Sequence, residues 1–249
     1  MIKRCLFLLS LGVFSSIFSE PYSNVVQNLK ESPYGFYFVD SGITTEDIKD
    51  FESLDIQKES FYHQFGQLND TQKGIAQFFC EMGNNSAILA ERAAALLTRL
   101  TQDIMFSSGR DAAWVHLRAS PPTDAYNIPR WHIDGAYFKA SGLDDIMYRF
   151  ALTLKGAPTL FYLLPNELRN EAWNHMLNRR YMQLFCSADR IVAPMIGEGV
   201  FFLGGKRDSS ALHTEPPIKE HRLFFSIVPC SEDQLIPLKN KVIAIYPTN

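Results

Sequence analysis

At Gly109 the sequence changes texture, and that change limits the folds available to the chain. Residues 22–112 carry mostly helical patterns. Thr44 and Asp47 are spaced as a capping pair that opens a helix through the Phe51 region, and Asp70 stands before a helical stretch that stops at Gly83-Asn84. Residues 86–106, SAILAERAAALLTRLTQDIMF, form the strongest helical pattern, with apolar residues three and four apart. Beyond Gly109 come short strand-like runs: AAWVHLRAS, MYRFALTLKG, PTLFYLLP, DRIVAPMIGEGVFFLGG, LHTEPP and RLFFSIVPC. Prolines and glycines punctuate them, and one helical pattern interrupts them at 166–184. Helices followed by many short strands predict an α+β chain with a barrel or jelly-roll core. Residues 20–249 read as one domain, with a helical part over 20–112 and the strand-rich core over 113–249.

The formal charge of −3 and pI near 6.1 offer no cationic field, and no Lys/Arg stripe is present, which argues against nucleic acid as a partner. The N-terminus has a cationic start, an uncharged apolar run over 5–18 and small Ser19 before Glu20-Pro21. This is the layout of a secretory signal over 1–19, and the run is short for a membrane span. The expectation is export to a periplasmic, lumenal or external space. Membrane attachment follows if the signal stays uncleaved, and a cytoplasmic location if the segment is an ordinary helix. Cleavage leaves Cys80, Cys186 and Cys230, too few and too scattered for a disulfide framework or a zinc knuckle, and they read as buried free thiols.

Within PRWHIDGAYF, His132 and Asp134 are two residues apart. In an extended strand such residues project from one face. The spacing alone is weak: 27 acidic residues in 249 and six histidines give roughly 0.65 such pairs by chance, and His213-x-Glu215 is a second one. His213, in the next strand-rich block, supplies a third potential ligand. Two histidines and a carboxylate on one side of an octahedron leave positions open, which suits non-haem Fe(II). Arg222 opens the strand RLFFSIV, where a guanidinium can grip a carboxylate in a two-pronged pair. The bland alternative is a set of surface or hydrogen-bonded polar residues.

In the order His132, Asp134, His213, Arg222, the chain resembles the Fe(II)- and 2-oxoglutarate-dependent dioxygenases. KGAPTLFY and GEGVFFLGGKRDSSALHTEPPIKEHRLFFSIVP are similar to that family's strand contexts, and the resemblance spans roughly residues 113–229. It implies a double-stranded β-helix (jelly roll) with N-terminal helices packed on it and one helical insertion. It also implies Fe(II) on His132, Asp134 and His213, with the distal carboxylate of 2-oxoglutarate on Arg222. Some positions depart from the pattern. Phe224 stands where many members carry Ser or Thr, Ser226 follows on the same face, and His221 replaces a usual Gly. Val228 lacks the second Arg of the nucleic-acid demethylase branch, which sets that branch aside.

The implied activity is hydroxylation of a small-molecule or peptidyl substrate. A non-catalytic jelly roll that binds metal or ligand is the alternative from another class, and a zinc hydrolase on the same ligands is a third. Tyr126, Asn127 and Arg130, just upstream of His132, could contact oxoglutarate or substrate, with loop surface as the simpler reading of all three, and Ser226 is a further candidate for contact with oxoglutarate. Glu215 could replace Asp134 as the carboxylate. One of His116 and Arg118 could face the barrel. His63 and His175, in helical text, read as solvent-facing, and Trp131 and Tyr137 as packing. Residues 165–190 could wall the substrate site.

Overall fold

The computed structural model describes residues 16–134, 148–205 and 207–245. Most of the expected signal and Tyr137 lie outside them. Among the described residues no helix is long and apolar enough to cross a membrane.

Four helices come before the core strands: α1 (Ser16–Asn28), α2 (Thr45–Ser53), α3 (Thr71–Met82) and α4 (Ala87–Ser108). Their ends have local causes. The Thr44 hydroxyl and the Asp47 carboxylate cap α2 reciprocally. Ser86 accepts from the Leu89 amide at the start of α4, and Gly109, at φ +61°, ends it in the left-handed conformation. α3 starts beside Asp70, whose side chain makes no cap bond.

The strands are β1 (Phe36–Asp40), β2 (Ser60–Gly66), β3 (Ala112–Ser120), β4 (Tyr148–Lys155), β5 (Leu160–Tyr162), β6 (Ile191–Val192), β7 (Glu198–Leu203), β8 (Leu212–Thr214) and β9 (Arg222–Cys230). They build an antiparallel six-stranded sheet in the order β1-β7-β4-β9-β3-β2 and a three-stranded sheet in the order β6-β5-β8. An isolated bridge between His132 and His213 adds one more extended segment to the smaller sheet. From β3 onward the chain passes from sheet to sheet: β3, His132, β4, then β5 and β6, β7, β8, β9. That alternation is a double-stranded β-helix, the expected fold.

Period-2 alternation gives the large sheet two different faces. Val115, Leu117, Phe150, Leu152, Phe201, Phe225 and Ile227 point outward and share one apolar core with Ile75, Phe79, Met82, Leu97 and Ile104 of α3 and α4. Each such side chain contributes roughly 1.5–3 kcal/mol by leaving water. The opposite phase, Trp114, His116, Arg118, Arg149, Ala151, Phe202, Arg222 and Phe224, faces the barrel interior. The helices therefore brace the sheet from behind and leave its inner face free for chemistry.

Three features differ from the sequence reading. β1 and β2 extend the core sheet at its two edges from within the part read as helical. Their pairing partners lie far away in sequence. His63 accordingly sits in β2 opposite His116, its ring stacked on that imidazole at 4.7 Å, instead of facing solvent from a helix. Cys80 is exposed, while Cys186 and Cys230 are buried free thiols. After β9 a further helix, α7 (Glu232–Ile245), packs Leu238 and Val242 against the Trp114 and Val228 side of the barrel.

The helical insertion comprises α5 (Arg169–His175) and α6 (Arg179–Phe185). Arg169, 4% exposed, pins it by donating to the carbonyls of Ser210 and Pro33.

Candidate metal centre

His132 and His213 exchange both backbone hydrogen bonds, at 2.8 and 3.0 Å, so they sit directly opposite each other. Trp131 and Ile133 turn to the other side and pack with Tyr162, Leu212 and Met182. The alternation then delivers His132 and Asp134 to the interior. Asp134 is anchored through its own carbonyl, which accepts from the Gly205 amide at 2.6 Å.

One atom organises the site. Asp134 Oδ1 lies 3.6 Å from His132 Nε2 and 3.7 Å from His213 Nε2, too far for good hydrogen bonds. Donors this close can share one ion at about 2.1 Å from each. The three residues form the one metal-capable group among the described residues. Each imidazole is held in the required tautomer. His132 Nδ1 is 2.7 Å from the Arg130 carbonyl and His213 Nδ1 is 3.2 Å from the Ala211 carbonyl. A carbonyl only accepts, so each Nδ1 donates and each Nε2 keeps its lone pair for a metal. Phe202 and Phe161 fix the His213 ring from two sides.

For Asp134 and His213 the electrostatics agree with this donor set. Burial would lower the His132 imidazole, but Asp134 and Glu215 outweigh it and raise the group above its ordinary value, so a metal must displace a proton there. Burial alone would raise the Asp134 carboxyl, but Arg149 and His213 outweigh it and hold it well below the usual range. Burial, with His132 beside it, brings His213 down to about 4, so it is neutral at pH 7. Arg149 Nη1 stands 2.9 Å from Asp134 Oδ2, and its guanidinium lies over the Trp114 ring. The second carboxylate oxygen faces this cation as an ion pair without a hydrogen bond, and Oδ1 faces the imidazoles.

Arg222 opens β9 at 2% exposure. Burial lowers its pKa to about 10, which leaves it charged at neutral pH. Its Nε donates to the Ala157 carbonyl and its Nη2 to the Thr159 hydroxyl, both at 2.9 Å, while the guanidinium stacks on Phe224. Gly156 makes this turn possible. At φ +78°, a Cβ there would lie 2.3 Å from the His221 carbonyl.

Other candidates are placed as follows. Glu215 turns toward Arg130, with Oε1 3.1 Å from Nη2, and stays outside the histidine pair. Although burial opposes it, His132 and Arg130 hold its pKa near 2. His116 and Arg118 both face the cavity, Asn127 is exposed, and His175 is exposed on α5. Tyr126 is buried behind Arg118 and Arg130, bonded to the former and under both guanidinium groups, and is not among the cavity-lining residues. Ser226 is buried opposite His116, also behind the lining, and its hydroxyl has no hydrogen-bond partner. Two cavity residues escaped the sequence reading. Arg149 had a signal, a charged residue in the inward phase of an otherwise apolar strand. Thr159 lies in KGAPTLFY, one of the segments that carry the family resemblance, but its bond to Arg222, 63 residues away, could not be read there.

The three metal donors line a cavity of about 670 Å³ together with His116, Arg118, Arg149, Thr159, Glu215 and Arg222, and Phe61, Trp173, Met176 and Leu177 wall it as well. The last three belong to the helical insertion or its turn.

No family model matches this chain, and no curated protein sequence does. Similar solved structures include a prolyl-4-hydroxylase from Pseudomonas putida, at 15% identity and TM-score 0.42, covering 85% of this chain and 99% of that one. A dioxygenase for auxin oxidation in rice has 10% identity and TM-score 0.46, covering 86% and 79%. A Trichoplax adhaerens prolyl hydroxylase, solved with a hypoxia inducible factor peptide, has 10% identity and TM-score 0.43, covering 88% and 93%.

Proposed function

We propose that this chain is an Fe(II)- and 2-oxoglutarate-dependent dioxygenase that hydroxylates a C–H bond of its substrate. The observation that carries the reading is the convergence of His132 Nε2 and His213 Nε2 on Asp134 Oδ1, with both Nδ1 atoms tied to backbone carbonyls. Two imidazoles and one carboxylate form a facial donor set that suits Fe(II) and leaves the cavity side open.

In this reading Arg222 holds the distal carboxylate of oxoglutarate. Thr159 accepts from Arg222 and so has its own proton free to donate to the same carboxylate. It supplies the hydroxyl that position 224 lacks. Phe202, Trp114 and Phe224 keep the inner cavity apolar around these groups and exclude water from them. When bound, iron and oxoglutarate supply the oxidising power: oxoglutarate and dioxygen become succinate and carbon dioxide as one oxygen atom enters the substrate. The chain contributes position, charge and dryness.

A zinc hydrolase would need a general base beside the metal. Among the described residues the other carboxylate of the cavity, Glu215, is ion-paired to Arg130 with a pKa near 2, which makes it a poor base. We also propose export, on the strength of the 1–19 segment alone. Mass spectrometry of the mature N-terminus tests it, and an intact Met1 in the native host rejects cleavage.

The decisive test is anaerobic titration with Fe(II) and 2-oxoglutarate, followed by succinate measurement in air. A weak visible charge-transfer band and succinate, both lost in His132→Ala, are expected. Metal binding with neither signal would leave a binding module.

A further inference from the structure

The chain is acidic overall, at −3, yet its large cavity is cationic. Among the described residues, Arg118, Arg130, Arg149, Arg222 and the solvent-exposed Arg179 line it against the carboxylates Asp134 and Glu215. Glu59, paired with Arg118 at the rim, offsets one further charge. Loading with a divalent metal and an oxoglutarate dianion leaves this surplus unchanged, because those two charges cancel. Like charges gathered in a low-dielectric cleft focus a field that draws ions of the opposite sign. The loaded cavity therefore still calls for an anion.

The positions of the arginines say where it would sit. Arg149 is committed to Asp134 at the inner end, and Arg222 to the Ala157–Thr159 turn. Arg118 is a scaffold, held by Glu59 and the Tyr126 hydroxyl. Arg130 is different. Its side chain is 38% exposed, it lies flat over the Tyr126 ring at 4.6 Å, and one nitrogen rests on Glu215. A guanidinium held flat in this way is pre-oriented for a carboxylate. Phe61, Trp173 and Met176 line the same outer region with apolar surface.

We infer that the substrate is a small organic acid, its carboxylate on Arg130 and its apolar body against Phe61, Trp173 and Met176. Calling that occupant the substrate rests on the dioxygenase reading above. The cavity, about 670 Å³, is of the size that holds small molecules.

The test compares 3-phenylpropionate with its amide, which differ in charge but little in shape. Binding to the full chain, with Zn(II) in place of iron and saturating 2-oxoglutarate, is read by NMR titration. The acid is expected to bind at least about 10-fold tighter than the amide. That preference should shrink toward unity in Arg130→Gln, persist in Arg130→Lys and weaken with added salt. Equal affinity for acid and amide overturns the inference, as does a preference unchanged in Arg130→Gln. So does the absence of acid binding, or displacement of the acid by oxoglutarate, which would place it on Arg222. Oxoglutarate binding is measured first and separately. If oxoglutarate does not bind, the dioxygenase reading falls, while the acid–amide comparison in the Zn(II) protein and in Arg130→Gln still decides the preference for an anion.

Discussion

Arg149 and Asp134 form an ion pair at the inner end of the cavity, Nη1 to Oδ2 at 2.9 Å, with both side chains almost fully buried. The pair divides the carboxylate: one oxygen faces a fixed cation and the other faces two imidazoles. Arg149→Met removes the cation and leaves a buried carboxylate without a partner on that side. We expect the metal-free variant to lose about 3–5 kcal/mol in urea denaturation. Saturating Zn(II) should restore more stability to the variant than to the wild type, since the ion then supplies the missing counter-charge. Equal gains in the two proteins would show that Arg149 is no counter-ion to Asp134.

His132→Ala and His213→Ala each remove one of three donors. Calorimetric titration with Mn(II) or Co(II) should show affinity falling by about two orders of magnitude or more in each. Glu215→Gln should change it by no more than a few-fold, because Glu215 faces Arg130. A comparable loss in Glu215→Gln would mean that the wrong carboxylate has been assigned.

Thr159→Val keeps the shape of the turn and removes the hydroxyl that meets Arg222. One lost hydrogen bond to a charged group is worth about 1.5–3 kcal/mol, so oxoglutarate binding should weaken roughly 10- to 100-fold. Metal affinity should hold. Arg222→Gln should weaken oxoglutarate further still, and an unchanged dissociation constant in Thr159→Val would remove that residue from the co-substrate site.

Glu215 gives a pH signature. Its pKa falls from an ordinary 4.5 to about 2 on folding. A depressed carboxyl stabilises the fold above its ordinary pKa, and the contribution disappears as pH falls through the folded value. Wild type should exceed Glu215→Gln by up to about 3 kcal/mol at neutral pH. The gap should be flat down to roughly pH 5 and close between pH 4.5 and 2. A gap independent of pH across that window would contradict the ion pair with Arg130.

The local elements were legible in the sequence because their causes are local. The Thr44–Asp47 capping box, Ser86 before α4 and Gly109 after it act within four residues. The phase of β3, β4 and β9 follows from alternation, which also sets His132 and Asp134 on one face. That the chain forms a jelly roll could be read from the order of such segments. Tertiary structure decided the rest. β1 and β2 carry strand-type aromatic residues, but their place at the edges of the core sheet is set by β7 and β3, which lie far away in sequence. Asp134, and not Glu215, meets the histidines because the register of His132 against His213 points Glu215 at Arg130. Arg149 and Thr159 gain their roles from partners on other strands. Strand register is a long-range property, set by how a whole apolar face packs, and no local period in the chain encodes it.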